Sequence, residues 1–175
     1  MRVVGIDPGT SGAFAFYAPA LPPPPGIDGD VVPTIATWDM PINEITVGGK
    51  PRKRIDRLGL LERIDMIVDI CWPEKWIIEK VSGMPGQSGM FEFGYTVGCI
   101  HEALTARGIA FETVTPTQWK KELKAPRDKK ECVAKCDELW PHARAIFRTD
   151  STKRGLRPDR AEAALLAYWG SGAWK

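Results

Sequence analysis

Four acidic residues stand at positions where the surrounding pattern predicts the ends of buried structure. Asp7 and Glu79 each follow a run of strongly apolar residues, which is typical of a buried strand. Asp159 and Glu162 lie three positions apart in a helical pattern, so both project from one face of that helix. Because a charge beside a buried strand is costly without a partner, we expect Asp7 and Glu79 to be functional.

Convergence of these four carboxylates would favour metal chemistry on a phosphodiester. Close carboxylates repel one another and do not all stay ionised without cations. Hard oxygen ligands at a partly open site suit Mg²⁺, with Mn²⁺ as a substitute. Two such ions, about 3.5–4 Å apart, would activate a water molecule and stabilise the leaving oxygen. Taken singly, each acid also has a structural interpretation, such as a turn residue for Asp7 or a helix cap for Asp159.

The order of the predicted elements favours an α/β fold with a mixed sheet. An antiparallel meander comes first and right-handed crossovers follow, which places helices on the faces of the sheet. The first strand and the strand that leads into Glu79 can then be neighbours, which would bring Asp7 and Glu79 together. A proline-rich loop insertion is expected at about residues 19–30 and a polar, basic loop at 42–54. The patterns predict strands over 2–7, 13–18, 31–40, 76–81 and 111–115, helices over 55–71, 88–107, 116–124, 128–139 and 158–167, and a polar stretch over 143–157.

The composition suits one folded domain over residues 1–175. Apolar residues make up 43% of the chain, which is enough for a packed core. No apolar run approaches the roughly 20 residues that a membrane helix needs, and no signal peptide is predicted, so we expect a cytoplasmic protein without membrane contact. The four cysteines lack the spacing of paired metal ligands and are expected to be structural, reduced thiols.

Positive charge is concentrated in two segments, although the formal net charge is only +2. Residues 50–57 carry five basic and one acidic side chain, and residues 116–157 carry twelve basic and six acidic ones. Such segregation favours a polyanionic partner, and nucleic acid fits beside an acidic metal-binding cluster. Solvated loops and helix faces are the alternative interpretation. The candidate DNA contacts in the first segment are Lys50, Arg52, Lys53 and Arg54.

Several of these motifs resemble those of the RuvC-type Holliday junction resolvases, which belong to the RNase H-like superfamily. The motifs are residues 5–10 (GIDPGT), the apolar strand into Glu79, and residues 159–163 (DRAEA), and their order and spacing match across nearly the whole chain. The resemblance implies an RNase H-like five-stranded sheet, a homodimer, and Mg²⁺-dependent cutting of four-way DNA junctions by paired symmetric nicks. Asp7, Glu79, Asp159 and Glu162 would then be the catalytic, metal-binding acids.

The sequence departs from the family pattern in two places. The last acid is more often aspartate in bacterial members, whereas here it is Glu162, and the proline-rich loop is unusual. Together these departures suggest a divergent member of the kind that phages encode, acting in the cytoplasm of a bacterium or of a phage host.

The resemblance also assigns substrate contacts to the second basic segment. Lys120 resembles the family's lysine beside the active site, and Lys129 or Lys130 resembles its second basic position, with Lys121 as a further candidate DNA contact. Lysines so placed would hold the scissile phosphate or offset its developing charge. A solvated helix face is the alternative for each of them.

The loop after Glu79 is a further candidate contact with DNA. Met84 and Phe91 follow Glu79 closely in the sequence, near glycines that allow close backbone approach. Their side chains could wedge between or stack on bases of an opened junction. Aromatic residues at helical spacing are also typical of a core or of a dimer contact. The helix predicted over 88–107 is rich in small and apolar residues, which suits a dimer face.

Other functions fit parts of the pattern. A ribonuclease H-like nuclease on RNA–DNA hybrids would use the same metal chemistry in a different groove, and a broader branched-DNA endonuclease is also open. Residues 7–12 (DPGTSG) resemble the first phosphate loop of sugar kinases and actin-like ATPases, but 175 residues leave no room for the second lobe of that group. A DNA-binding scaffold without catalysis predicts disrupted acids, whereas all four positions carry carboxylates.

Overall fold

The protein folds into a mixed β-sheet with helices on both faces. The computed structural model describes residues 1–20, 32–80, 89–149 and 155–175. The strands are β1 (Val3–Asp7), β2 (Ala13–Ala18), β3 (Thr34–Asp39), β4 (Ile42–Val47), β5 (Lys50–Ile55), β6 (Lys75–Glu79) and β7 (Glu112–Val114). The helices are α1 (Arg57–Cys71), α2 (Met90–Thr105), α3 (Pro116–Leu123), α4 (Lys129–Leu139) and α5 (Pro158–Ser171), with a 3₁₀ helix at Pro141–Phe147.

The main sheet has five strands in the order β3-β2-β1-β6-β7, with β1 at its centre. β1 pairs antiparallel with β2 and parallel with β6, and Ile6 lies opposite Ile78 in the parallel pair. Because parallel strands end at the same edge, Asp7 and Glu79 come to lie side by side. The mixed five-stranded sheet predicted from the sequence is therefore confirmed.

Two apolar cores lie on opposite faces of this sheet. Val3 belongs to the core formed with α3, α4 and α5, whereas Val4 and Ile6 belong to the core formed with α1 and α2. Coverage of both faces explains why β1 and β2 are almost wholly apolar instead of alternating. Gly5 and Asp7 share the face of Val3, because side chains alternate along a strand, so Asp7 points towards α5.

Helix α5 lies directly against the backbone of β1 at Gly5. A Cβ atom at this position would lie 2.4 Å from the carbonyl oxygen of Ala163 and 2.7 Å from the amide nitrogen of Ala167. The absence of a side chain therefore sets how closely α5 can approach the central strand. This contact carries the C-terminal acids to the edge at which Asp7 lies.

The prediction of a polar, basic loop over 42–54 was wrong, because β4 and β5 form a hairpin there. Val47 pairs with Lys50 and Ile42 with Ile55, in a two-stranded sheet separate from the main one. The turn is Gly48-Gly49, with φ angles of 58° and 75°, a conformation that a two-residue hairpin turn requires and glycine adopts readily. The polar strands lack apolar alternation because most of the hairpin is exposed.

Smaller differences concern the ends of elements and the predicted polar stretch. That stretch, 143–157, begins inside the 3₁₀ helix, and Arg148 then bridges to Leu156 as an isolated antiparallel pair. α5 continues past the predicted end at 167 to Ser171. Most of the predicted proline-rich insertion, and Met84, lie outside the described residues.

The cysteines are free thiols in this structure. Cys132 and Cys136 are buried on α4, and burial raises the pKa of Cys132 to about 11 and that of Cys136 well above its usual value. A thiol that resists ionisation is a poor nucleophile and metal ligand, so both behave as small core residues. No helix among the described residues is long and apolar enough to cross a membrane.

The close approach at Gly5 predicts that Gly5→Ala destabilises the protein by about 3 kcal/mol, because the added methyl meets backbone atoms that cannot move aside. Gly94→Ala is the matched control, since Gly94 lies within α2 with no other atom within 4 Å of an added Cβ. We expect that control to gain about 0.5–1 kcal/mol. Urea unfolding in divalent-free buffer measures both changes, and equal stability of the two variants would contradict the close approach.

Candidate metal-binding active site

The four acids lie at one edge of the sheet, and most of them are buried. Asp7 ends β1 and Glu79 ends β6, with only 5% and 7% of their surface exposed. Glu162 is 3% exposed on α5, and Asp159, in the first turn of the same helix, is partly exposed. Burial of three ionisable groups at one edge is unfavourable unless cations or hydrogen bonds compensate.

Three of the four carboxylates converge closely enough to share a cation. One carboxylate oxygen each from Asp7, Asp159 and Glu162 lies within 4.8 Å of the others. Glu79 lies beside this group without joining it, and its Oε1 accepts a hydrogen bond of 2.9 Å from Nε1 of Trp119. The convergence predicted from the sequence therefore holds for three acids, with Glu79 as an adjacent fourth held by an indole.

The Lys129 ammonium occupies the space between the three converging carboxylates. Its Nζ lies 3.3 Å from Asp7, 2.8 Å from Asp159 and 2.6 Å from Glu162. Lys120 forms a further ion pair with Glu162, through the other carboxylate oxygen of that residue. Two lysines thus balance part of the negative charge that the fold concentrates here.

The pKa values of these groups reflect burial as well as mutual repulsion. Burial raises the pKa of Asp7 well above its usual value; Lys129 opposes this rise, and the nearby acids, Glu79 foremost, add to it. Burial also raises the pKa of Glu79, against the effect of the Trp119 hydrogen bond. The pKa of Lys129 is raised, because attraction to Asp7, Asp159 and Glu162 outweighs the effect of its own burial.

The donor set fits a hard divalent cation. Carboxylate oxygens from three side chains meet in one place, and these are the ligands that Mg²⁺ and Mn²⁺ prefer. The lysine ammonium at the centre of the group stands in for such a cation, because it occupies the point at which positive charge is most favoured. Glu79 adds a neighbouring carboxylate that could complete a second position.

Three short-range features position the helices that carry these groups. The Thr115 side chain accepts a hydrogen bond from the backbone N–H of Gln118 and so caps α3. Asp128 caps α4 in the same way, which places Lys129 at its first helical position. Proline at position 158 begins α5 one residue before Asp159.

A paired salt bridge ties the start of α5 to the sheet. Asp39, at the end of β3, accepts hydrogen bonds from Arg160 Nε at 2.6 Å and from Nη2 at 2.8 Å. Arg160 lies between Asp159 and Glu162 in the sequence, so this pair holds the segment that carries both acids. Sequence reasoning missed Asp39 and Trp119, since neither has a local signal that marks its distant partner.

The predicted substrate-binding residues lie in different surroundings. Lys121 and Lys130 are exposed, and Lys120 and Lys121 line a concave surface of about 580 Å³ together with Arg127. Phe91 is 78% exposed in the first turn of α2, so it is not a core residue of this chain. Of the predicted contacts on β5, Arg54 is partly buried. The other three are exposed, and they are Lys50, Arg52 and Lys53.

Comparison with solved structures identifies the fold. The chain superposes on Thermus thermophilus RuvC with a TM-score of 0.56 at 14% identity, covering 98% of this chain and 96% of that one. T. thermophilus RuvC in complex with a Holliday junction substrate gives a TM-score of 0.59 at 16% identity, covering 98% and 93%. The yeast mitochondrial Holliday junction resolvase Ydc2 gives 0.55 at 16% identity, covering 99% and 78%.

No protein-family model matches the chain, and no curated protein sequence does either. At these identities, the likeness shows a shared fold. The protein therefore has the RuvC-type resolvase fold, an RNase H-like mixed sheet flanked by helices, as the sequence motifs predicted.

The raised pKa of Asp7 predicts how Asp7→Asn changes stability with pH in divalent-free buffer. The folded protein holds the Asp7 proton more tightly than the unfolded chain, so wild-type stability falls as the pH rises from about 3.9, the unfolded value, through the folded pKa. The variant does not lose stability in this way, because the asparagine side chain does not ionise. Its free energy of unfolding, relative to the wild type, should therefore increase with pH across that window.

Asp39→Asn is the control of opposite sign. The hydrogen bond from Arg160 lowers the pKa of Asp39, so its stabilising contribution is present above about pH 3.9 and is lost as the pH falls through the folded value. This variant should be less stable than the wild type at pH 7 and approach it in acid. Urea unfolding at several pH values tests both, and parallel pH trends for the two variants would contradict the dominance of burial at Asp7.

Proposed function

We propose that this protein is a structure-selective endodeoxyribonuclease that resolves four-way DNA junctions by metal-dependent phosphodiester hydrolysis. The observation that carries the proposal is the convergence of carboxylate oxygens from Asp7, Asp159 and Glu162 within 4.8 Å, around a lysine ammonium. A shared fold with junction resolvases, one of them solved with a Holliday junction substrate, supports the choice of DNA substrate.

Asp7, Glu79, Asp159 and Glu162 would hold two Mg²⁺ ions, for which Mn²⁺ could substitute. When bound, these ions supply an activated water molecule and Lewis-acid stabilisation of charge on the phosphate. Trp119 acts as a positioning residue, because its indole N–H fixes one oxygen of Glu79 and leaves the other free to bind.

Basic residues next to the acids supply the contacts to the DNA backbone. Lys120 lies on the rim of the concave surface beside Glu162, where its ammonium can offset charge that develops on the scissile phosphate. Lys129 is half exposed and reaches the same acids from α4, so it can turn towards a bound phosphate. Lys121 and Lys130 would bind neighbouring phosphates, and Phe91 and Met84 are the candidates for stacking on opened bases.

A homodimer would supply the two equivalent sites that paired symmetric nicks require. A concave, mostly apolar surface of about 590 Å³ lies between α1 and α2, lined in part by Leu58, Leu61, Tyr95 and Gly98. Leu58 is 65% exposed, which is unfavourable for an apolar side chain at a surface that stays in water. This face supports self-association through α1 and α2.

The proposed reaction predicts specific cutting of a synthetic four-way junction in Mg²⁺ and none in EDTA. Paired symmetric nicks should appear on the junction, and a linear duplex and an RNA–DNA hybrid should stay intact. Asp7→Asn and Glu79→Gln should lower the cleavage rate at least about 1000-fold, since each removes a ligand charge, and should leave junction binding intact. Cutting of the hybrid alone would replace the proposal with a ribonuclease H activity, and loss of folding in both variants would make these acids structural.

The proposed interface predicts a dimer that a bulky charge at Gly98 disrupts. Gly98 is exposed on α2 with open space around an added Cβ, so Gly98→Arg should leave the monomer folded. Ala134→Arg is the matched control, because Ala134 is exposed on α4, which packs on the other face of the sheet. Light scattering should give twice the chain mass for the wild type and the control, and one chain mass for Gly98→Arg. A monomeric wild type would contradict the dimer.

A further inference from the structure

The β4–β5 hairpin presents a row of cations outside the main sheet. Its two strands pair only with each other in the described structure. Lys50, Arg52 and Arg54 alternate along β5, so their side chains share one face of the hairpin. The glycine turn holds both strands in a fixed register, and the spacing of the cations is therefore set by the backbone.

Arg54 anchors this row to the body of the protein. Its Nε and Nη2 donate hydrogen bonds to Glu92, in the first turn of α2, at 3.1 and 2.5 Å. The guanidinium also lies 5.7 Å from the centre of the Tyr95 ring. The charge of Arg54 is thus largely balanced, and its role is to fix the base of the hairpin against α2.

The remaining cations of β5 have no such partner. Lys50, Arg52 and Lys53 are exposed, and none of them forms an ion pair with an acidic residue in the described ranges. Three exposed positive charges on one short strand repel one another, an arrangement that an external polyanion would relieve. Glu44 lies opposite Lys53 in the register of the hairpin, without an ion pair between the two side chains.

A depression connects the cations to the active-site edge. It has a volume of about 240 Å³ and is lined by Thr10, Arg52, Lys53, Gly89, Glu92 and Phe93. Thr10 lies in the turn that follows β1, three residues after Asp7. One depression therefore joins two cations of the hairpin to the turn that follows Asp7.

We propose that the β4–β5 hairpin binds the phosphate backbone of a DNA duplex arm that flanks the cleaved strand, through Lys50 and Arg52 on one face of β5 and through Lys53 at the depression that Arg52 also lines. Alternate side chains on a strand are spaced by about 6.7 Å, which equals the axial rise of about two phosphates along one DNA strand. Lys50 and Arg52 are such alternate residues, and two cations at this spacing fit an extended backbone better than a compact anion. The inference rests on the proposed function only in taking DNA as the polyanion.

The experiment compares Arg52→Ala/Lys53→Ala with the wild type in EDTA, where no cutting occurs. Fluorescence anisotropy follows binding to a labelled four-way junction and to a linear duplex between about 50 and about 200 mM salt. Log affinity falls as log salt rises, and the loss of two phosphate contacts should make this slope shallower by about 1.8. The factor by which affinity falls between the two salt concentrations should therefore be about tenfold smaller for the variant than for the wild type. The effect should appear on both DNAs, because the hairpin contacts a duplex arm.

Arg2→Ala/Lys175→Ala is the matched control. It also removes one arginine and one lysine, but Arg2 precedes β1 and Lys175 lies near Lys75 at the start of β6, at the edge of the sheet opposite the acids. Its salt slope should equal that of the wild type. An equal slope for the hairpin variant would overturn the inference while wild-type junction cutting upholds the proposed function. A change on the junction without one on the duplex would overturn the duplex-arm contact.

Discussion

Mutual repulsion among buried carboxylates is the constraint around which this fold is organised. Asp7, Asp159 and Glu162 are held close enough for their oxygens to lie within 4.8 Å, and burial already raises the pKa of Asp7. Packing elsewhere has to outweigh this unfavourable contact. The approach of α5 to Gly5 and the salt bridge between Asp39 and Arg160 both hold the acids where they would not gather alone.

The lysines and the tryptophan around the site compensate the buried carboxylates in different ways. Lys129 and Lys120 supply positive charge, which lowers the repulsion without removing any carboxylate. Trp119 supplies a neutral hydrogen bond to Glu79, so the indole can compensate a buried oxygen while adding no charge that would compete with a metal ion. All three side chains therefore compensate acids of the site without changing the number of carboxylates there.

Much of this arrangement could be predicted from the sequence, and the exceptions have physical causes. Asp7 and Glu79 stood out because a carboxylate after an apolar strand is locally conspicuous, and parallel pairing of β1 with β6 then brought them together. The position of Lys129 among three acids depends on how α4 packs on α5, which no local pattern contains. The β4–β5 hairpin lacked apolar alternation, and only its Gly48-Gly49 turn marked it.

The order in which the chain is synthesised determines when its four acids can come together. Asp7 and Glu79 leave the ribosome well before Asp159 and Glu162, and the helix that carries the later pair must reach the central strand at Gly5. A nascent chain that stops short of α5 has only half of the acids and no surface that gathers them. Under the proposed function, partly made copies would be inert, and the capacity to cut nucleic acid would arise only once the last helix docks.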